Sequence, residues 1–136
     1  GKMAEIKKIN HVAIVVKDID QALRFWQEEL GLELHHIEDV PSQKSKVAFI
    51  PVGESEIELV QPTSDDSGMA AYLEKRGEGM HHLCVEVDDI DGMLERLKEK
   101  GVRLINETAL ELPGRKMAFV HPKSTNGVLV ELYQLI

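Results

Sequence analysis

The chain has 136 residues, of which 43% are hydrophobic and 29% charged, with 5 prolines and 10 glycines, a composition that excludes disordered and collagen-like chains and suits one folded domain. Sixteen basic residues against 24 acidic ones leave a net charge of −8, which opposes non-specific attachment to nucleic acid or anionic lipid. No apolar run approaches the roughly 20 residues that cross a bilayer, and the start GKMAEIKKIN lacks the apolar core of a signal peptide, so a cytoplasmic protein with no membrane partner is expected.

In chain order, Gly1 and Lys2 before Met3 read as the remnant of an expression tag. HVAIVV, at 11–16, is β-branched and apolar throughout and predicts a strand covered on both faces. Asp18 or Asp20 can cap the helix that follows. Ile19, Leu23, Trp26 and Leu30 form one stripe of that helix, and Gly31 ends it. Segments near 33–39, 46–51 and 56–61 read as three further strands, separated by the turn-forming stretches PSQKS and VGES. Ser67 caps a short helix over roughly 68–75, which leads to a glycine-rich exit and forms a linker over about 63–78.

The second half then repeats the first. NHVAIVVKDID at 10–20 recurs as HHLCVEVDDID at 81–91, and each copy is followed by a helical pattern and a glycine, with one residue fewer in the second. KVAFIP at 46–51 returns as KMAFVH at 116–121, and the halves close on EIELV and VLVEL. Ile90, Leu94 and Leu97 form the second helical stripe, with Gly101 as the stop. Each half is therefore βαβββ, over about 8–62 and 79–134, an α+β architecture made by duplication.

Side chains alternate along a strand, so His11 shares a face with Ala13 and Val15, and His82 with Cys84 and Glu86, while Val12, Ile14 and Val16 face the helix. Small neighbours leave room beside both histidines. A carboxylate stands inside an apolar strand at the end of each half, Glu58 and Glu131, and such a group is costly to bury unless paired or metal-bound. Duplication makes His11 and His82, and Glu58 and Glu131, repeat mates. Two imidazoles with two carboxylates suit a divalent Co, Mn, Ni, Zn or Fe ion. The single cysteine, Cys84 in LCVEV, excludes an internal disulfide and reads as a small buried residue. His81 faces away from His82 and reads as structural or as a substrate contact. His35 and His36 read as solvated strand surface. His121 begins a turn and could join a substrate rim with Lys123 and Ser124.

NHVAIVV, GEGMHHLCVEV, FVHPKSTNGVLVEL and the paired glutamates resemble the vicinal oxygen chelate superfamily, the metalloenzyme group that contains glyoxalase I. EIELVQPTSDDS and KRGEGMHHL bring the resemblance to the methylmalonyl-CoA epimerase family within it, over about residues 8–134. The resemblance implies two βαβββ modules in a cupped eight-stranded mixed sheet around one divalent cation, with cobalt foremost, usually in a homodimer. It implies His11, Glu58, His82 and Glu131 as the ligands. The implied reaction is epimerisation of (R)- and (S)-methylmalonyl-CoA at C2 through a metal-stabilised enolate-like intermediate, with Glu131 and Glu58 exchanging the proton on opposite faces. The bacterial family member with the best-described mechanism carries a glutamate base at about Val47, where this chain has no carboxylate. Lys44, Lys46, Arg115, Lys116 and Lys123 are the cations available to an anionic CoA ester, with Lys116, His121 and Lys123 taken as its contacts. A glyoxalase I-type lactoylglutathione lyase, or a metal-free binding protein of the same fold, would share the scaffold.

Overall fold

The computed structural model describes residues 3–136, so the tag reading of Gly1 and Lys2 lies outside the described residues. Eight strands fall in the order β2-β3-β4-β1-β5-β8-β7-β6, with β1 at Ile6–Val15, β2 at His36–Val40, β3 at Ser45–Val52, β4 at Ser55–Pro62, β5 at Gly79–Val87, β6 at Leu110–Leu112, β7 at Arg115–Val120 and β8 at Val130–Leu135. Three α-helices, α1 at Ile19–Leu23, α2 at Gly68–Arg76 and α3 at Ile90–Glu99, complete an α+β fold with a mixed sheet. Packing divides the chain into two compact units, one of Val12–His81 and the other of the chain up to His11 together with His82–Ile136. Strands β1 and β5 run through the boundaries between them.

In the Val12–His81 unit, β2, β3 and β4 pair antiparallel. Asp18 caps α1 by accepting from the Gln21 amide, and Ile19 and Leu23 bury against Val16, Ala48, Ile50 and Leu59. Ile14 joins the same cluster, which puts the even-numbered residues of β1 on the helix side as alternation requires. The expected stripe is buried only at its first two members, Ile19 and Leu23. From Arg24 to Glu29 the helix widens to π geometry, with the Leu30 amide donating to the Phe25 carbonyl. A wider turn breaks the 3.6-residue period, so Trp26 is half-buried and Leu30 is exposed. Ser67 caps α2 by accepting from the Ala70 amide.

In the other unit, β5 pairs parallel with β8, and β7 pairs antiparallel with both β8 and β6. Asp89 caps α3 through the Gly92 amide. Ile90, Met93 and Leu94 bury against Val87, Ala118, Val120 and Leu132, with Leu97 packed at the margin. The two units share one further device. The buried N-terminal isoleucines of α1 and α3 donate their amides to glutamines of β4 and β8, Ile19 to Gln61 Oε1 at 2.9 Å and Ile90 to Gln134 Oε1 at 2.8 Å. Among the described residues no helix is long and apolar enough to cross a membrane.

Candidate metal centre

Three of the expected site residues meet in the unit that contains His82–Ile136. His11 lies on β1, His82 on β5 and Glu131 on β8. The β5·β8 register sets Cys84 opposite Glu131, and the β7·β8 register sets Phe119 opposite it on the other side, so Glu131, near the start of β8, is held between two paired neighbours. His11 and Glu131 are each 6% exposed. Glu131 Oε1 lies 3.3 Å from His11 Nε2 and 3.2 Å from His82 Nε2, and the two Nε2 atoms are 3.3 Å apart. The rings meet edge to face, with centroids 5.3 Å apart.

That triangle can be tested against a metal's requirements. First-row divalent ions bind imidazole nitrogen and carboxylate oxygen at about 2.1 Å, which puts adjacent donors about 3.0–3.4 Å apart in octahedral or tetrahedral sites. The three separations, 3.2–3.3 Å, fall in this range. His11, Cys84 and Glu131, all buried, also have ligand atoms within 4.8 Å of one another and could hold a metal ion. The electrostatics agree with an anionic oxygen at this point. Burial alone would raise the Glu131 carboxyl, but hydrogen bonds and charge from His11 and His82 in their protonated form outweigh it and bring it from 4.5 to about 2.

Two neighbours extend the cluster. His11 Nδ1 is 2.7 Å from Asn10 Oδ1, and Asn10 Nδ2 donates to Glu86 Oε1 at 3.0 Å. Glu86 is 4% exposed and lies 3.8 Å from the Lys7 ammonium. The expected small buried role of Cys84 holds, since it is fully buried; its place beside the ligand atoms is additional. Strand alternation from His82 already pointed to that face, whereas nothing in the sequence pattern joined Asn10 to Glu86.

The remaining candidates are placed as follows. Glu58 belongs to the Val12–His81 unit, half-buried in β4 opposite Phe49. In the same unit, Val47 is buried in β3 between Glu38 and Val60 of the neighbouring strands. His81 meets Tyr72 edge to face at 4.7 Å. His35 and His36 are exposed, and His36 stacks on Phe49. Lys116 is ion-paired with Asp91 at 2.8 Å, and that hydrogen bond raises its pKa. His121 caps the 3₁₀ turn Pro122–Ser124, its Nδ1 accepting from the exposed Lys123's amide at 3.0 Å. Desolvation and the charges of Arg103 and Lys123 lower the His121 pKa, consistent with a neutral acceptor. Lys44 pairs with Asp66, and Arg115 lies over the Tyr133 ring.

Residues 10–119 match the family described as the Glyoxalase/Bleomycin resistance protein/Dioxygenase superfamily. The ethylmalonyl-CoA/methylmalonyl-CoA epimerase of Cereibacter sphaeroides is 40% identical, over 96% of this chain and 99% of that protein. The mitochondrial methylmalonyl-CoA epimerase of Bos taurus is 38% identical, over 98% of this chain and 78% of that one. Among solved structures, a methylmalonyl-CoA epimerase in complex with methylmalonyl-CoA and NH4+ superposes with a TM-score of 0.84 at 30% identity, covering 96% of each chain. With a family match across most of its length and relatives of this identity over nearly all of it, the chain belongs to the glyoxalase/bleomycin resistance protein/dioxygenase superfamily and, within it, to the methylmalonyl-CoA epimerases.

Proposed function

We propose that the chain inverts the configuration of methylmalonyl-CoA at C2, interconverting its R and S forms, with one divalent cation as cofactor. The observation that carries the cofactor is the convergence of His11 Nε2, His82 Nε2 and Glu131 Oε1 at separations that suit one ion. Glu58 is the proposed fourth ligand, on its position as the repeat mate of Glu131. Cobalt is the foremost metal, with manganese, nickel or zinc as alternatives, since imidazole and carboxylate donors suit all of them. When bound, the cation supplies positive charge that stabilises negative charge developing on the substrate's thioester and carboxylate oxygens.

The protein's own groups must move the proton. C2 lies between two carbonyl carbons, so a carboxylate can remove its hydrogen and leave the electron pair delocalised toward the thioester oxygen. A carboxylic acid on the opposite face then returns a proton to C2, which inverts the centre. Glu131 and Glu58 are the proposed pair. An ionised Glu131 takes the proton from one enantiomer and, in the reverse direction, returns it as the carboxylic acid. The anionic ester needs local cations on an acidic chain. Lys123 is exposed; Lys116 would have to exchange Asp91 for the ester's phosphates, and His121 would contribute from the same turn as Lys123. We further place the enzyme in the cytoplasm as a homodimer, on the family resemblance.

The test follows the C2 proton of methylmalonyl-CoA by NMR in D2O, with metal-free and cobalt-loaded protein. Metal-dependent loss of that proton from either enantiomer is the expected result. A loaded protein that binds metal stoichiometrically yet leaves the proton in place would overturn the substrate, and a glyoxalase-type hemithioacetal would be assayed next. Unchanged exchange from both enantiomers in Glu58→Gln would remove Glu58 from the proton transfers.

A further inference from the structure

We infer that Glu86 and Asn10 are positioning residues that fix the tautomer and orientation of the His11 ring, so that its Nε2 lone pair faces Glu131 and His82. The inference rests on His11 acting as a ligand in the proposed centre.

The assignment follows from what each group can donate or accept. Glu86 is 4% exposed on β5, and a carboxylate buried to that degree needs partners. It has the Asn10 side chain at 3.0 Å and the Lys7 ammonium at 3.8 Å. An ionised carboxylate only accepts hydrogen bonds, so the end of the Asn10 amide that faces it is the NH2. The Asn10 carbonyl oxygen is thereby turned to His11, 2.7 Å from Nδ1. A carbonyl oxygen also only accepts, so Nδ1 must carry the hydrogen. In a neutral imidazole that leaves Nε2 as the bare nitrogen, and Nε2 is the atom 3.3 Å from both Glu131 Oε1 and His82 Nε2. Were the amide reversed, two acceptors would meet at Glu86. The hydrogen on His11 would then move to Nε2, where it would occupy the direction in which a cation must bind. One buried carboxylate thus settles, through a single amide, which nitrogen of the ring is a ligand. Partners of this kind orient metal-binding histidines and influence metal affinity.

The decisive measurement is made on metal-free protein. Long-range 1H–15N correlation of the imidazoles, recorded above the pH at which the same spectra show the ring to have lost its charge, should show His11 protonated on Nδ1. Glu86→Gln retains an acceptor for the amide and should keep that tautomer. Glu86→Leu removes the acceptor, frees the amide to turn, and should mix the tautomers and weaken Co2+ binding by about 10- to 100-fold in chelator competition. Asn10→Leu, at a half-buried position, should have the same effects and serves if Glu86→Leu does not fold. Wild-type His11 protonated on Nε2, or an unchanged tautomer and Co2+ affinity in a folded Glu86→Leu or Asn10→Leu protein, would overturn the assignment. Failure of the metal reading is separable: the wild type would bind no Co2+ while the tautomer is read without any metal.

Discussion

Glutamine in place of Glu131 keeps the side chain's shape and removes its charge. In the folded protein the two histidines outweigh the effect of burial and bring the carboxyl from 4.5 to about 2, which corresponds to about 3 kcal/mol at about 1.4 kcal/mol per pH unit. Because the folded value lies below the unfolded one, this contribution is fully present above about pH 4.5 and is lost as the pH falls toward about 2. Wild-type protein stripped of metal by prior dialysis against chelator should therefore lose about 3 kcal/mol more stability than Glu131→Gln between about pH 5 and about pH 2. Comparing the pH trends cancels any constant cost of the substitution, such as imperfect packing of the amide. Urea denaturation followed by far-UV circular dichroism at the two pH values reads the effect directly. With a denaturant dependence of roughly 1–3 kcal/mol/M, the wild-type midpoint should fall by roughly 1–3 M more than the variant's. Parallel profiles would refute the reasoning, since they would mean that the histidines do not favour the ionised carboxylate in the folded cluster.

Three further outcomes are expected for stability. Alanine at an interior helical glycine ordinarily stabilises by roughly 1 kcal/mol, but at Gly92 the new Cβ lands against the Asp89 carboxylate that caps α3; Gly92→Ala should show no such gain in thermal unfolding, and the gain should return in an Asp89→Ala background. Gln134→Leu leaves the amide of the fully buried Ile90 without its acceptor and should cost about 1–3 kcal/mol in urea denaturation, with Gln61→Leu acting likewise at Ile19. Leu94→Ala opens a cavity among Ile90, Met93 and Leu132 and should cost about 2–5 kcal/mol, whereas a loss below 1 kcal/mol would mean that this cluster is not a close-packed core.

The histidines were legible because both stand at one place in a duplicated strand motif, 71 positions apart, and strand alternation puts both on the face with the small neighbours. Glu131 was legible as a charge in an apolar strand, where only a partner or a metal makes burial tolerable. The caps Asp18 and Ser67, each just ahead of a helical pattern, are observed as caps. Other features depend on information that no single segment carries. The Asn10–Glu86 contact joins residues 76 positions apart and needs two strands set side by side before it exists. The cap made by His121 depends on ring orientation, which the turn signal HPKS does not encode. The exposure of Leu30 follows from the widened helix, and periodicity analysis presupposes a constant α-helical turn.

That widened turn also reconciles two lengths. Ile19 and Ile90 are 71 positions apart, whereas Gly31 and Gly101 are 70 apart, so the helical segment of the first repeat has one surplus residue. A turn closed by an i→i+5 hydrogen bond takes up one residue more than one closed by i→i+4, and the Leu30-to-Phe25 bond closes such a turn. Both segments still finish on a glycine with positive φ, 91° in the first and 76° in the second. An insertion that would otherwise rotate every later residue by about 100° is absorbed before the chain re-enters the sheet. The helical segments of the duplicated halves are thereby free to drift in length while the strands that carry His11 and His82 keep their pairing.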